Sequence, residues 1–255
     1  MRTRQWFQAA LMLLLGLYLL ETLLTGEIAY YINERFNWLA GVAGFTLITL
    51  GVINVIALLS EPHQGTDAPK GAPSLLPNPA SVSHGVSARW YVLVILSVPL
   101  VFGIFLPAQP LGAAAINNSG VAFSLNVSGA GDQAFSVTPL QRNVLDWVRA
   151  FSAATSVDEF GGQPADLIGF VYRDVRFEDD TEFMVTRFTV SCCVADAIAI
   201  GVIVRSEEAA RLAPDSWVRV QGKFEVRDFA GQRTPILIAE SIQPTAMPER
   251  PYLFP

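Results

Sequence analysis

The chain has 255 residues, of which 51% are hydrophobic and 16% charged, and its mean hydropathy of +0.38 is too high for an ordinary soluble protein. Its formal net charge is −6, and residues 132–255 alone contain 12 Lys or Arg against 18 Asp or Glu. A nucleic-acid-binding surface normally needs a positive field, so this acidic balance argues against that class of partner.

Three apolar runs predict three transmembrane helices: Trp6–Leu24, Trp38–Leu59 and Trp90–Pro107. The first two approach or exceed the ~20 residues that cross ~30 Å of hydrocarbon, and the third is shorter but carries no charge. Each run begins with a tryptophan, a residue that favours the membrane interface. The first run could instead be a secretory signal, but Thr22–Leu24 is a poor cleavage site, so we expect an uncleaved anchor.

Basic residues near these runs indicate their orientation. With a cytoplasmic N-terminus, the cytoplasmic side carries Arg2, Arg4, Lys70 and Arg89, whereas the first outer loop carries only Arg35. Basic residues concentrate in cytoplasmic loops. We therefore expect a cell-membrane protein whose N-terminus is cytoplasmic and whose C-terminal domain, after three spans, is extracytoplasmic.

Composition divides the chain into five segments. We expect two transmembrane helices in residues 1–59, a flexible cytoplasmic Pro/Ser/Gly-rich loop at 60–89, the third span at 90–107, a linker at 108–132, and the extracytoplasmic domain at 133–255. The cytoplasmic loop contains both histidines, His63 and His84. We interpret them as polar filler rather than as a metal-sensing pair.

The sequence after residue 132 is typical of an α+β domain. Thr138–Phe151 predicts a helix with Thr138 as its cap, Pro139 at its first position and Trp147 on its apolar face. We expect that face to pack on the strands that follow or on the membrane-proximal surface. Strand-like runs follow, with a short helix expected at 207–213; the runs are 166–175, 182–193, 197–206, 217–229 and 234–244. This order predicts an OB-like five-stranded β-barrel over residues 166–244.

The only two cysteines, Cys192 and Cys193, are adjacent at the end of the second strand-like run. Neighbouring side chains of a regular strand point to opposite faces, so the thiols can act together only if the chain bends here and brings Asp196 beside them. Three hypotheses stay open: small residues filling a strand, a soft metal or metalloid ion held by Cys192, Cys193 and Asp196, and thiol–disulfide exchange. A pleated strand up to this point would turn Arg187 away from Cys192, towards an acidic group elsewhere.

Catalytic motifs are not evident in the sequence. It contains no P-loop, GxSxG, HExxH or dinucleotide-binding fingerprint. The domain after residue 132 has no histidine, which excludes the ordinary triads that depend on one. We therefore expect no enzymatic activity. The acidic stretch Phe177–Glu182 predicts a solvated hairpin tip, with a weak calcium site as the alternative.

Several segments resemble the YcgQ-like family of bacterial membrane proteins. The most specific is RFTVSCCVADAIAIGV; DSWVRVQGKFEV, PILIAESIQP and a terminal PERPYLF follow it, and GEIAYYINERFNWL and LPAQPLGAAAINNSGV lie upstream. The family positions that carry over are Arg187, Phe188, Cys192, Cys193, Ala195, Asp196, Trp217, Gly222 and Tyr252. The chain departs from the family pattern at Glu34, where a proline commonly precedes the arginine of the first loop.

The resemblance implies a protein encoded beside a predicted permease, in a wider family that includes exporters of organic arsenic compounds, and it implies no established activity. We therefore expect a non-enzymatic accessory subunit of a permease, with membrane lipid and that permease as partners and a thiophilic metal or metalloid bound at Cys192 and Cys193. The alternatives are a membrane-tethered thiol–disulfide protein and an envelope adaptor that binds only proteins. Structural or partner-contact roles are expected for Arg187, Trp217, Gly222 and Tyr252.

Overall fold

The computed structural model describes residues 2–60, 90–116, 121–122, 137–177 and 180–255. The expectations for His63 and His84 lie outside these residues, as does part of the predicted acidic tip. The chain forms two compact units. We call them the helical unit, Met1–Ile28 with Arg35–Ala108, and the C-terminal unit, Ala29–Glu34 with Gln109–Pro255.

In its described residues, 2–28, 35–60 and 90–108, the helical unit contains three apolar α-helices, α1 (Arg2–Thr25), α2 (Asn37–Ser60) and α3 (Trp90–Phe105). The first two regions, Arg2–Thr25 and Glu34–Ser60, are long and apolar enough to cross a membrane. Only 22% and 17% of their most apolar windows is buried, which does not fit the core helices of a soluble protein. The third predicted span is a 16-residue helix, shorter than the other two. A unit that exposes this much apolar surface suits a lipid environment.

Helices α1 and α2 pack closely because glycines lie between them. A Cβ atom on Gly16 would be 2.8 Å from the carbonyl oxygen of Gly44, and one on Gly51 would be 2.8 Å from the Leu13 side chain. Small residues permit this backbone approach, as is usual where membrane helices associate. The Tyr18 hydroxyl of α1 also donates to the carbonyl of Gly103 in α3, at 3.3 Å.

The C-terminal unit is built on a six-stranded sheet. Its strands are β1 (Pro164–Tyr172), β2 (Glu182–Thr189), β3 (Ile198–Arg205), β4 (Trp217–Phe229), β5 (Gln232–Pro244) and β6 (Tyr252–Leu253). The ladders β1–β2, β2–β3, β1–β4 and β4–β5 are antiparallel, whereas β3–β5 and β2–β6 are parallel. The first five strands are therefore joined in a continuous ring of pairings, β1–β2–β3–β5–β4–β1.

Several details differ from the sequence-based prediction, which had five strands where the sheet has six. Strand β2 ends at Thr189, whereas the predicted run continued to Cys193, because the following residues turn away from the ladder. The helix predicted at 207–213 is only a 3₁₀ turn, Ala209–Arg211. Pro214 disfavours the helical conformation at the residue before it, so a longer helix cannot continue towards β4.

The helix before the sheet also begins later than predicted. Residues Pro139–Gln141 form a 3₁₀ turn, and helix α4 runs from Val144 to Ala153. Its cap is Asn143, not Thr138: the Asn143 side chain accepts from the amides of Leu145 and Asp146, and the Asp146 carboxylate accepts from the amide of Asn143. This capping box satisfies helix-end donors that Thr138 would be too far away to reach.

The apolar face of α4 completes the main core of the sheet. Trp147 is fully buried, and its ring centroid lies 4.6 Å from that of Phe224 in β4. Phe151 and Phe160 surround the same position at centroid distances of 5.7 and 6.1 Å from Trp147. The predicted packing of the Trp147 face on the strands is thus confirmed.

Candidate functional site

The two cysteines lie in a turn that follows β2, which we call the thiol turn, Ser191–Asp196. The chain leaves strand geometry after Thr189, bends at Ser191 and Cys192, and forms a 3₁₀ turn over Val194–Asp196. The two sulfur atoms are 3.8 Å apart and both thiols are free. Cys192 is exposed and Cys193 partly exposed, so this geometry does not fit two small residues filling a regular strand.

Asp196 organises the thiol turn from within. Its carboxylate accepts from the amide of Ser191 at 2.9 Å and from the amide of Cys192 at 2.7 Å, and its own amide donates to the carbonyl of Cys193 at 2.9 Å. These three bonds curl the backbone back on itself. The curl brings two adjacent side chains, which a pleated strand would separate, to the same side.

The charge of Asp196 also controls the neighbouring thiol. The Cys192 thiol donates to this carboxylate and lies beside Cys193, which raises the pKa of Cys192 to about 11. The same thiol bond, followed by the bonds from backbone amides, lowers the pKa of Asp196. At neutral pH the site therefore holds an ionised carboxylate next to a protonated Cys192 thiol.

The donor set limits the ions that this turn can hold unaided. Within the described ranges, no group of three or more His, Cys, Asp or Glu side chains is placed to bind one metal ion. Both Asp196 oxygens are directed to backbone amides, so the carboxylate is not available as a third ligand without loss of the turn. The two sulfurs are the donors that remain.

A second chain segment holds the thiol turn from outside. This is the inter-helix segment, Ala29–Glu34, which lies between α1 and α2 in sequence but belongs to the C-terminal unit. Ile32 forms an antiparallel bridge with Cys193, the amide of Asn33 donates to the carbonyl of Cys192 at 3.0 Å, and the amide of Val194 donates to Tyr31 at 2.9 Å. Sequence reasoning gave this segment no role, although its resemblance to a family segment was a signal.

Arg187 anchors the C-terminal tail, residues 250–255. Its guanidinium donates to the carbonyls of Pro251 at 2.9 Å, Arg250 at 2.7 Å and Ile168 at 3.3 Å, and its centre lies 5.1 Å from the Trp217 ring centroid. Burial lowers the pKa of Arg187 to about 10, which leaves it charged at neutral pH. Backbone carbonyls thus take the place of the expected acidic partner. They stabilise the buried cation because the negative ends of their dipoles point towards it.

Tyr252 connects the same tail to the inter-helix segment. Its hydroxyl accepts from the amide of Leu111 at 2.8 Å and donates to the carbonyl of Tyr30 at 3.3 Å. In addition, Arg250 forms an ion pair with Glu34 at 2.8 Å. The position at which this chain departs from the family pattern, Glu34, therefore carries a contact of its own.

Gly222 lies away from the thiols, on β4. A register shift between Gln221 and Gly222 marks a bulge in the β4–β5 ladder. A Cβ atom at Gly222 would lie 2.0 Å from the carbonyl oxygen of Ile238, so only glycine permits this approach. Of the predicted site residues, Cys192, Cys193 and Asp196 are brought together in the turn. Arg187 and Trp217 lie beside the C-terminal tail, Tyr252 is part of that tail, and Gly222 belongs to the sheet.

Comparison with known proteins gives the family. Two family profiles match the chain: the DUF1980 N-terminal domain over residues 7–122 and the DUF1980 C-terminal domain over residues 135–255. A Streptococcus mutans protein named "Putative two-component membrane permease complex subunit" is 21% identical over 94% of this chain and 94% of its own length. A Bacillus subtilis protein named "UPF0703 protein YcgQ" is 20% identical over 90% of this chain and 92% of its own length. Since both DUF1980 domains are present in order and YcgQ aligns over nearly its whole length, the chain belongs to the YcgQ-like family.

Proposed function

We propose that this protein is a non-enzymatic accessory subunit of a bacterial membrane permease and that its extracytoplasmic domain binds a thiophilic metalloid through Cys192 and Cys193. The name of the S. mutans relative supports the permease partner, and the two membrane-length helices support membrane attachment alongside it. The observation that carries the ligand proposal is the pair of free, accessible sulfurs 3.8 Å apart. Soft ligands of this kind select soft metals and metalloids.

The protonation state of the site favours a neutral metalloid hydroxide over a divalent cation. A trivalent metalloid hydroxide condenses with two thiols: two metalloid–sulfur bonds form, two metalloid–oxygen bonds break, and the thiol protons leave in two waters without any change of oxidation state. A divalent cation requires thiolates. The pKa of about 11 at Cys192 opposes thiolate formation and therefore disfavours a divalent cation. It does not oppose the condensation, which consumes protonated thiols.

The position of the inter-helix segment supports three spans. Ala29–Glu34 belongs to the C-terminal unit, which supports a topology in which the chain after α1 and the chain after residue 108 share one side of the membrane. In that topology α2, which is long enough to span, is followed by a second crossing at α3. At ~1.5 Å per residue α3 is about 24 Å long, a mismatch that local thinning of the bilayer accommodates. The bias of basic residues makes the shared side the outer one.

We further infer that strands β1 to β5 form a barrel of OB type. The ring of pairings β1–β2–β3–β5–β4–β1, with β3 and β5 parallel, supports a closed five-stranded Greek-key arrangement. In this arrangement the thiol turn is the connection between β2 and β3. Loops of such barrels commonly carry the binding site, so a ligand at this connection fits the architecture.

Thiol–disulfide exchange is the rival function, and the site supports it less. Exchange needs a thiolate, and reactive cysteines usually have lowered pKa values, whereas the pKa of Cys192 is raised. A bond between adjacent cysteines would also join Cα atoms ~3.8 Å apart, below the usual ~4.4–6.8 Å range.

The experiment is co-purification of the full-length protein with the permease encoded beside it, in medium containing arsenite or antimonite, followed by elemental analysis. We expect about one metalloid per chain, reduced at least tenfold in Cys192→Ser and in Cys193→Ser. Ser191→Ala is the matched control, because it changes a neighbouring side chain but neither sulfur, and it should retain the metalloid. Equal retention without either thiol would refute the ligand, and recovery of the chain without the permease would refute the partner.

A further inference from the structure

The thiol turn is held in place by a distant piece of chain, the inter-helix segment, whose contacts set the position of the sulfurs. Asn33, in the inter-helix segment, is 158 residues from Ser191 in sequence, yet its side-chain amide donates to the Ser191 carbonyl at 2.9 Å. Its backbone amide donates to the Cys192 carbonyl at 3.0 Å. Asn33 is only 5% exposed, although it is a polar residue in a connecting segment.

Asn33 and Asp196 together account for every backbone polar group of two successive residues. Asp196 accepts from the amides of Ser191 and Cys192, and Asn33 donates to the carbonyls of the same two residues. Ser191 and Cys192 therefore cannot rotate their peptide planes without breaking a bond to one of these side chains or to the Asn33 backbone. Since the orientation of these planes directs the Cys192 side chain, the separation of the sulfurs depends on both.

We propose that Asn33 is a positioning residue of the dithiol site, which holds Cys192 and Cys193 in the arrangement needed to bind one ligand atom with both sulfurs. The inference rests on the proposed function for its biological meaning. Its chemistry can be tested independently with a probe that requires two close thiols. Loss of the Asn33 donor leaves both thiols present and accessible but converts paired binding into single-sulfur binding.

Phenylarsine oxide is a suitable probe. It condenses with two thiols to form two arsenic–sulfur bonds, and its oxygen leaves with the two thiol protons as one water, while arsenic stays trivalent. An arsenical held by both sulfurs resists exchange with a monothiol such as glutathione, because release of one sulfur leaves the other bound. An arsenical held by a single sulfur is displaced readily.

The experiment compares full-length wild type with Asn33→Ala and Asn33→Asp in detergent. Asn33→Asp keeps the size of the side chain but replaces the amide donor with an oxygen. Tyr31→Phe is the matched control in the same segment, because Tyr31 acts through its backbone carbonyl. We expect the half-life of the phenylarsine complex under excess glutathione to fall at least tenfold in both Asn33 variants and to stay unchanged in Tyr31→Phe. Titration with a reagent that reacts with each thiol separately should still count two thiols in every variant.

Each outcome is decisive. If wild type does not retain phenylarsine oxide, the paired-thiol function fails, and the role of Asn33 with it. If wild type and either folded Asn33 variant retain it equally, the positioning role fails while the proposed function stands. If both Asn33 variants lose their cooperative melting transition by circular dichroism, Asn33 is a general determinant of the fold and the specific positioning role is refuted.

Discussion

At the scale of single residues, Asp196 combines two roles that usually belong to different side chains. It terminates strand β2 by accepting two backbone amides that would otherwise continue the ladder, and it accepts a bond from the Cys192 thiol. The raised pKa of Cys192 and the lowered pKa of Asp196 are two results of one interaction. The shape and the reactivity of the thiol turn therefore cannot be changed independently at this position.

Replacement of Asp196 by Asn should make Cys192 more reactive towards alkylating reagents. Without the carboxylate, the pKa of Cys192 should fall from about 11 towards the ordinary thiol value, so the thiolate fraction at pH 8 rises, by roughly tenfold to a hundredfold. The measurement is the pH dependence of iodoacetamide alkylation in Cys193→Ser, with and without Asp196→Asn. An unchanged profile would show that the carboxylate does not control this thiol.

The same pair has a defined effect on stability. Because the folded-state pKa of Cys192 is raised, the thiol–carboxylate bond contributes fully below the ordinary pKa of a thiol and is lost as the pH rises towards 11. For Asp196 the pKa is lowered, so its contribution is present above the ordinary pKa of a carboxyl group and is lost in acid, as the pH falls through the lowered value.

Sequence patterns could identify part of this site but not its supports. Asp196 is only four residues after Cys192 in sequence, so its closeness to the thiols was predictable once the strand was assumed to bend. Asn33 could not be found in this way, because its 158-residue separation from Ser191 is set by tertiary structure. The partners of Arg187 are backbone carbonyls, which every residue possesses, so no side-chain pattern points to them.

At the scale of elements, the strands were the most predictable feature, because burial alternates along β4 and because β2 and β3 are almost continuously buried. In β4 the buried residues recur at every second position over the first half of the strand, which is the period expected of a half-buried strand. The turn between β4 and β5 was also predictable: Ala230 and Gly231 have φ angles of 50° and 79°, as a tight hairpin turn requires. Element ends were less predictable, because caps such as Asn143 compete with equally good sequence signals nearby.

Gly222→Ala should destabilise the C-terminal unit by about 3 kcal/mol, since the new methyl group would collide with the backbone carbonyl of Ile238 and the bulge has no flexible side chain to move aside. Chemical denaturation followed by circular dichroism measures the change. Gly161→Ala is the control: its Cβ would lie 3.4 Å from the nearest atom, the Asp158 carbonyl, and its φ of −54° suits alanine. Equal stability of the two variants would contradict the close approach at Gly222.

At the scale of the whole molecule, the central expectation is that the inter-helix segment and the C-terminal tail share one side of the membrane. Two contacts join them: the Tyr252 hydroxyl donates to the carbonyl of Tyr30, and Arg250 forms an ion pair with Glu34. The inter-helix segment also contacts the thiol turn of the same unit, through Ile32 and Asn33. Run lengths alone could not decide whether the 16-residue α3 crosses the bilayer. Contacts within one folded unit give a criterion that hydropathy does not.

A C-terminal fusion to a fluorescent protein that matures only in the cytoplasm should be dark, and a fusion to alkaline phosphatase at the same position should be active. The reason is the proposed topology, in which basic residues hold the N-terminus inside and three crossings export the C-terminal unit. Fusions placed after Ser60 serve as the control and should give the opposite pair of results. A bright C-terminal fluorescent fusion would contradict the orientation.

The separate origin of the inter-helix segment has a consequence for how this protein is made. Residues 29–34 leave the ribosome long before residues 191–196, so the thiol turn cannot acquire its outer bonds until most of the chain has been synthesised. In the proposed topology these residues must also be translocated, which ties folding of the C-terminal unit to insertion of the helices that precede it. A fragment cut at residue 109 would lack this piece, and a synthetic peptide of sequence AYYINE is the reagent that should restore it.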